Sequence, residues 1–258
     1  MLRKNFLCGQ LILSYLDNEQ MGKPVIICLH GLFGNARYYA NILEQEDYHV
    51  YSLDQRGHGF SGHAGSGEYT ISYFLNDLFY FMDKVVKCSS VTVIGHSLGG
   101  IIAYYGAASR PEITKIILED IGAVEQDDCS FAGDIVNRAM SLKALGDSLK
   151  PFHITDPSYF VESAFEDEAG WGFRFDQTHI PEAQTNINGD HWETFLKSSC
   201  PVLLIHGRDS WVVSDEHILE MERIRANTRA VLIDNASHGV NHDKPDEFFA
   251  QAMSFIKE

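Results

Sequence analysis

No C-x-x-C pair occurs in this 258-residue chain. The five cysteines (Cys8, Cys28, Cys88, Cys129, Cys200) are odd in number and scattered, which excludes a disulfide framework and the usual thiolate spacings for metal or redox work. H-E-x-x-H is absent as well, and the twelve histidines are dispersed, so neither a metal nor another cofactor is expected. His238 and His242 share an i, i+4 spacing, but Gly239 between them and Pro245 beyond read as a loop, not a ligand-bearing helix. Positive charge is scarce: 20 Lys and Arg stand against 36 Asp and Glu, for a formal net charge of −16. That balance opposes non-specific nucleic-acid binding and docking on anionic membranes. No apolar run approaches the roughly 20 residues of a membrane span. Two basic residues open the chain, yet Gly9 and Gln10 interrupt the apolar Phe6–Leu13 stretch and no small-residue cleavage site follows, so no signal peptide is expected. The expected location is the cytoplasm, with reduced thiols, and no obligatory protein partner is evident.

Apolar residues make up 45% of the chain and charged residues 22%, enough for one substantial core. Val25-Ile26-Ile27-Cys28-Leu29 is a continuous apolar run, the pattern of a strand covered on both faces. Strand patterns also fall at Leu11–Tyr15 (in a hairpin with Asn5–Cys8), His49–Leu53, Val91–Ile94, Thr114–Leu118, Val202–Ile205 and Ala230–Ile233. Helical patterns fall between them at Asn35–Leu43, Ile71–Val86, Leu98–Ala108, Glu216–Ile224 and Pro245–Ile256. Strands alternating with helices predict an α/β fold, a mostly parallel central sheet flanked by helices. Residues 125–196 break the alternation. They hold ten aromatics and, with fourteen acidic against four basic residues, a net charge of −10. A structureless loop of that length does not fit a compact domain. The expected organisation is a core of residues 1–124 and 197–258 with an inserted helical cap, or lid, at 125–196.

The most informative feature is Gly95-His96-Ser97-Leu98-Gly99, a G-x-S-x-G pentapeptide between an apolar strand pattern and a helix. A serine hydroxyl attacks only when a base removes its proton, and that base needs a third group to orient it. Three later segments place polar residues just after a strand: Leu118-Glu119-Asp120, Leu204-Ile205-His206-Gly207-Arg208-Asp209-Ser210, and Leu232-Ile233-Asp234-Asn235-Ala236-Ser237-His238. In a parallel sheet those ends share the edge where ligands bind. Ser97, then Asp120 or Asp209, then His238 follows the chain order Ser…Asp…His.

With these residues the chain resembles the α/β-hydrolase superfamily, in particular its small lidded bacterial esterase-like members. The resemblance also rests on His30-Gly31-Leu32-Phe33-Gly34, Asp54-Gln55-Arg56-Gly57-His58-Gly59-Phe60-Ser61, Gly207-Arg208-Asp209 and His238 followed by Asp243-Lys244-Pro245. It implies that Ser97 is the nucleophile and His238 the base, with the Leu32 and Leu98 backbone N–H groups as oxyanion hole. The superfamily's usual acid lies three residues beyond the late glycine, which here is Ser210; Asp209 comes one residue early. Relatives that draw the acid from the strand end before the cap point to Asp120, with Asp209 the alternative acid and Ser210 a helper to His238. Phe33, Trp171 and Trp211 are candidate pocket residues, Asp54 and Arg56 read as a loop-fixing pair, and His30, His58 and His96 read as structural. The implied activity is a cofactor-free serine hydrolase, a carboxylesterase for small to medium uncharged esters acting through an acyl-enzyme. The alternatives are lactone, thioester or carbon–carbon bond hydrolysis or perhydrolysis on the same triad, and, outside enzymes, a slow-turnover ligand receptor.

Overall fold

The computed structural model describes residues 1–258. Eight strands form one sheet: β1 (Leu2–Cys8), β2 (Leu11–Asp17), β3 (Val25–Leu29), β4 (His49–Asp54), β5 (Val91–His96), β6 (Ile113–Glu119), β7 (Val202–Gly207) and β8 (Thr228–Ile233), in the order β1-β2-β4-β3-β5-β6-β7-β8. β1 and β2 form an antiparallel hairpin, β2 runs antiparallel to β4, and every later pairing is parallel. Four longer helices flank the sheet: α1 (Ile71–Phe81), α2 (Leu98–Ser109), α3 (Asp215–Ile224) and α4 (Pro245–Lys257). None is long and apolar enough to cross a membrane.

Period-2 alternation sorts the strands' side chains into two cores. Ile27, Leu29, Val93, Ile116, Leu118 and Leu204 face α1, α2 and α3, whereas Ile26, Cys28, Ile94, Ile117, Leu203 and Ile205 face α4 and the helical segment Ala36–Leu43. Nearly all are fully buried, and each such aliphatic side chain contributes on the order of 2 kcal/mol.

The structure differs from the sequence expectation in three respects. Ala36–Tyr39 is a 3₁₀ turn that becomes α-helical only at Ala40–Leu43, and α1 closes in wider turns over Met82–Val86. The strands reach past their apolar runs, so that β5 takes in His96, β6 takes in Glu119 and β7 takes in His206 and Gly207. Residues 125–196 hold short helices but also β-structure: Val124–Glu125 pairs with Gly189–Asp190, and Ala164–Asp167 with Gly170–Phe173 in a hairpin. The segment has no separate core, since Leu145, Leu149, Phe173, Phe175, Ile180 and Phe195 belong to the same buried cluster as the sheet.

The expected Asp54–Arg56 pair is not formed. Arg56 instead grips Asp77 of α1 through Nε (2.7 Å) and Nη2 (2.8 Å), both partners buried. Asp54 pairs with Arg3 and accepts the Ala36 N–H at 2.6 Å and the Phe60 N–H at 3.0 Å. Each still holds a loop, through a partner distant in sequence.

Candidate active site

The pentapeptide is a sharp strand-to-helix turn. Ser97 follows β5 with φ 50° and ψ −118°, and Leu98 opens α2. A Cβ on Gly95 would collide with the Gly99 carbonyl, and one on Gly99 would collide with the Leu29 carbonyl on the neighbouring strand. Small residues are thus required where the chain doubles back. Non-glycine residues at positive φ also follow β3 (Phe33, 68°), β6 (Asp120, 48°) and β8 (Asn235, 54°). Such conformations cost on the order of 1–3 kcal/mol each and gather at functional sites. Here they stand at one edge of the sheet.

Neighbouring strands lock these ends together. The Ser97 N–H donates to the Glu119 carbonyl (3.0 Å), and the Asp120 N–H donates to the Ile205 carbonyl (2.8 Å). His238, on the loop after β8, donates from Nδ1 to Asp120 Oδ2 at 2.7 Å. Its carbonyl accepts from His96 Nε2 at 3.0 Å, and the two imidazoles lie 4.5 Å apart. His96, the residue before Ser97, is thereby tied to the His238 backbone.

Asp120 is fully buried and receives four donors. Oδ1 accepts from His206 Nδ1 (2.6 Å) and the Gly207 N–H (3.1 Å); Oδ2 accepts from His238 and from Ser210 Oγ (2.5 Å). Burial alone would raise its pKa. The bonds from His206, His238 and Ser210 outweigh burial and hold the carboxyl down at about 2. The carboxylate is therefore charged at any neutral pH. For His238 the balance runs the other way in sign: burial lowers its pKa, the Asp120 bond and charge raise it, and Glu125 and Glu119 add to the rise, leaving it above the ordinary value of 6.5.

Sequence reasoning missed His206. Its ring is buried, with Nδ1 on Asp120 and Nε2 on Asp215 Oδ1 at 2.9 Å. Each ring nitrogen thus faces a carboxylate, and His206 links Asp120 to α3. The available signal was a histidine closing an apolar strand at the sheet edge. Ser210 sits where the expectation placed a helper, but its hydroxyl serves Asp120, not His238. Asp209 is exposed, its backbone N–H bonded to the Ala236 carbonyl, and its carboxylate makes no bond to His238. Asp234 is 79% exposed and paired with Arg208.

Near Ser97, the loop after β3 is held at two successive carbonyls. Tyr159 Oη donates to the Leu32 carbonyl (3.0 Å), and Ser163 Oγ donates to the Phe33 carbonyl (2.9 Å). The N–H groups of Leu32 and Leu98 find no partner within the protein; the latter is the first amide of α2, where helical geometry leaves donors free. Phe33 is buried against Phe131, Phe160 and Phe175 and anchors the 125–196 segment. Trp211 is 72% exposed, its ring 5.7 Å from that of His238, so it stands at the mouth of the site. Trp171 corrects the expectation. It lines a cavity of about 440 Å³ with Arg3, Arg37, Phe60 and Arg174, which includes none of Ser97, Asp120 and His238. Its backbone pairs with Ala139, and its half-buried ring packs against the main core. His30 and His58 have roles in the backbone network, through the Gly31 carbonyl (2.7 Å) and the Arg56 carbonyl (2.8 Å), and burial lowers their pKa values to about 4 and about 3. His242 bonds Ser158 Oγ at 2.8 Å.

Comparison with known proteins agrees with this architecture. The chain is 27% identical over 269 residues to the sn-1-specific diacylglycerol lipase ABHD11 of Mus musculus, covering 95% of this chain and 85% of that one. It is 26% identical over 253 residues to esterase YbfF of Escherichia coli, covering 94% and 96%. Among solved structures, E-2-(acetamidomethylene)succinate hydrolase superposes with a TM-score of 0.86 at 18% identity, over 100% of this chain and 99% of that one. The model of the family described as "Alpha/beta hydrolase family" matches residues 26–252, which spans the sheet from β3 to α4 and every strand end described above. The chain therefore belongs to the α/β-hydrolase family and is a hydrolase.

Proposed function

We propose that this protein is a serine carboxylesterase in which Ser97, His238 and Asp120 act as nucleophile, base and orienting acid. The observation that carries the reading is the 2.7 Å bond between His238 Nδ1 and a buried, charged Asp120, one strand away from a serine held at φ 50°. Asp120 fixes the imidazole with its proton on Nδ1, leaving Nε2 free to take the Ser97 proton as Oγ attacks the ester carbonyl. The tetrahedral oxyanion then meets the N–H groups of Leu32 and Leu98, worth about 3 kcal/mol each in the transition state. His238 next returns the proton to the departing alkoxide. A water activated by the same imidazole hydrolyses the acyl-enzyme.

Residues 125–196 act in this reading as a lid whose Tyr159 and Ser163 hold the Leu32 loop. The many acidic groups of that segment favour uncharged substrates over anionic ones, within the roughly 8–10 Å that salt leaves unscreened. The names of the esterase and lipase relatives support esters over other acyl compounds.

The test is a p-nitrophenyl ester series from acetate to decanoate, with a carboxylated acyl analogue, alongside labelling by a fluorophosphonate. The expected result is turnover of short and medium neutral esters, slower turnover of the carboxylated one, and a single phosphonyl adduct on Ser97. Labelling without turnover of any ester, lactone or thioester would move the protein to the receptor class. The kcat/KM profile should also fall on the acid side as His238 takes up a proton, with its midpoint above pH 6.5 because the carboxylates around the ring raise its pKa. A midpoint at or below 6.5 would contradict that electrostatic account.

A further inference from the structure

Beside Asp120 stands a second buried carboxyl that the mechanism above does not use. Glu119, the last residue of β6, is wholly buried. Its Oε1 accepts from Tyr38 Oη (2.5 Å) and from the Asn241 N–H (2.7 Å), and its Oε2 accepts from Tyr39 Oη (2.7 Å). An apolar side chain would serve the sheet there at less cost, since a buried carboxyl is tolerated only when donors surround it. The donors that surround this one belong to the parts of the site.

Asn241 lies three residues beyond His238, and its side-chain amide donates to the Tyr38 carbonyl at 2.8 Å. The Tyr38 ring stacks on His96 with centroids 4.8 Å apart and planes 22° apart, and His96 in turn holds the His238 carbonyl. The Glu119 carbonyl accepts the Ser97 N–H, and the next residue is Asp120. One residue thus touches the chain carrying the serine, the chain carrying the acid and the turn carrying the imidazole.

We propose that Glu119 is a positioning residue, whose carboxylate clamps the His238 turn to the strand end bearing Ser97 and Asp120 and whose charge favours the imidazolium that forms on His238. The proposal rests on the reading of Ser97, His238 and Asp120 as the reacting groups. The side chains that bind Glu119 are neutral hydroxyls, and no cation pairs with it. The titratable groups around it are Asp120, the next residue, Tyr38 and Tyr39 from the 36–43 segment, Tyr159 from the 125–196 segment, His96 at the end of β5 and His238 on the loop after β8. Burial, reinforced by the Asp120 charge, outweighs the three donors and raises its carboxyl to about 7, so it changes charge in the range where the imidazole also titrates.

Glu119→Gln separates charge from shape. The amide oxygen can still accept from Asn241 and Tyr38, and the amide nitrogen meets Tyr39, whose hydroxyl can turn to accept. The expected result is a folded variant with a melting temperature near that of the parent, kcat/KM reduced about fivefold, and the acid limb of its pH profile moved down by roughly half a unit. A purely structural residue would leave that limb in place. An acid limb unmoved in Glu119→Gln overturns the proposal, whatever happens to the melting temperature. Ser97→Ala measured in parallel separates the two levels. If it keeps parental turnover, the underlying reading fails. If it is inactive while the Glu119→Gln limb stays put, only the role of Glu119 falls.

Discussion

Ser97→Ala is expected to lower kcat for neutral esters by about 10⁵- to 10⁶-fold while leaving the protein folded. The size follows from the division of labour at the sheet edge. Without the hydroxyl no acyl-enzyme forms, and His238 and Asp120 are left with only direct water attack to assist. What survives is substrate binding and the Leu32 and Leu98 donors, which alone sustain about 10³- to 10⁴-fold over water in comparable sites. The fold should tolerate the change, because alanine loses only a hydroxyl that bonds to no other group of the protein and keeps the backbone bond to Glu119. Rates of p-nitrophenyl butyrate hydrolysis and phosphonate labelling check it together. Turnover within tenfold of the parent would remove Ser97 from the chemistry.

Asp120→Asn should cost about 10⁴-fold in kcat, and Asp209→Asn less than about twofold. Four donors converge on the two Asp120 oxygens, from His206, Gly207, His238 and Ser210. An amide has one oxygen to offer, so its NH₂ must face a donor on the other side. If it faces His238, the ring reverses its tautomer and Nε2 carries the proton it ought to receive. If it faces His206 and Gly207, that pair is left unmatched in the interior. Stability falls too. The Asp120 pKa drops from an unfolded value of about 3.9 to about 2, which corresponds to roughly 2–3 kcal/mol. That contribution is fully present above pH ~4 and is lost as pH falls through about 2, so Asp120→Asn should unfold more readily at neutral pH and less distinctively in strong acid. Loss of activity in Asp209→Asn with none in Asp120→Asn would reverse the assignment.

The sequence made the sheet legible because buried parallel strands announce themselves as apolar runs, and the interior alternation of Ile26, Ile27, Cys28 and Leu29 is visible in one line of text. Strand ends were less legible for a reason tied to function. His96, Glu119 and His206 look like the polar start of a loop, yet all three continue the ladder because hydrogen bonds at the site satisfy them. Chain order could nominate both Asp120 and Asp209 but could not choose, since each follows a strand. What separates them is burial: the Gly207 turn leaves Asp209 outside, while Asp120 lies under β7 and the His238 loop. The hairpin at 164–173 was hidden by its own acids, Glu166 and Asp167, in a strand too short to show a period. Trp171 shows the limit of composition, which counts an aromatic without saying which way its strand faces.

The bonds that assemble the site span the chain. Asp120 meets His238 across 118 positions, His96 meets the His238 carbonyl across 142, and Glu119 meets Asn241 across 122. Contacts of such separation pay their loop-closure entropy before they return any stability, and they form late in folding. A refolding chain can therefore regain helices and the β1–β2 hairpin, both local, while hydrolase activity is expected to stay silent until β8 has docked. Catalysis in this protein reports on completion of the whole fold, and a nick or truncation near the C-terminus should silence it as completely as the loss of the serine itself.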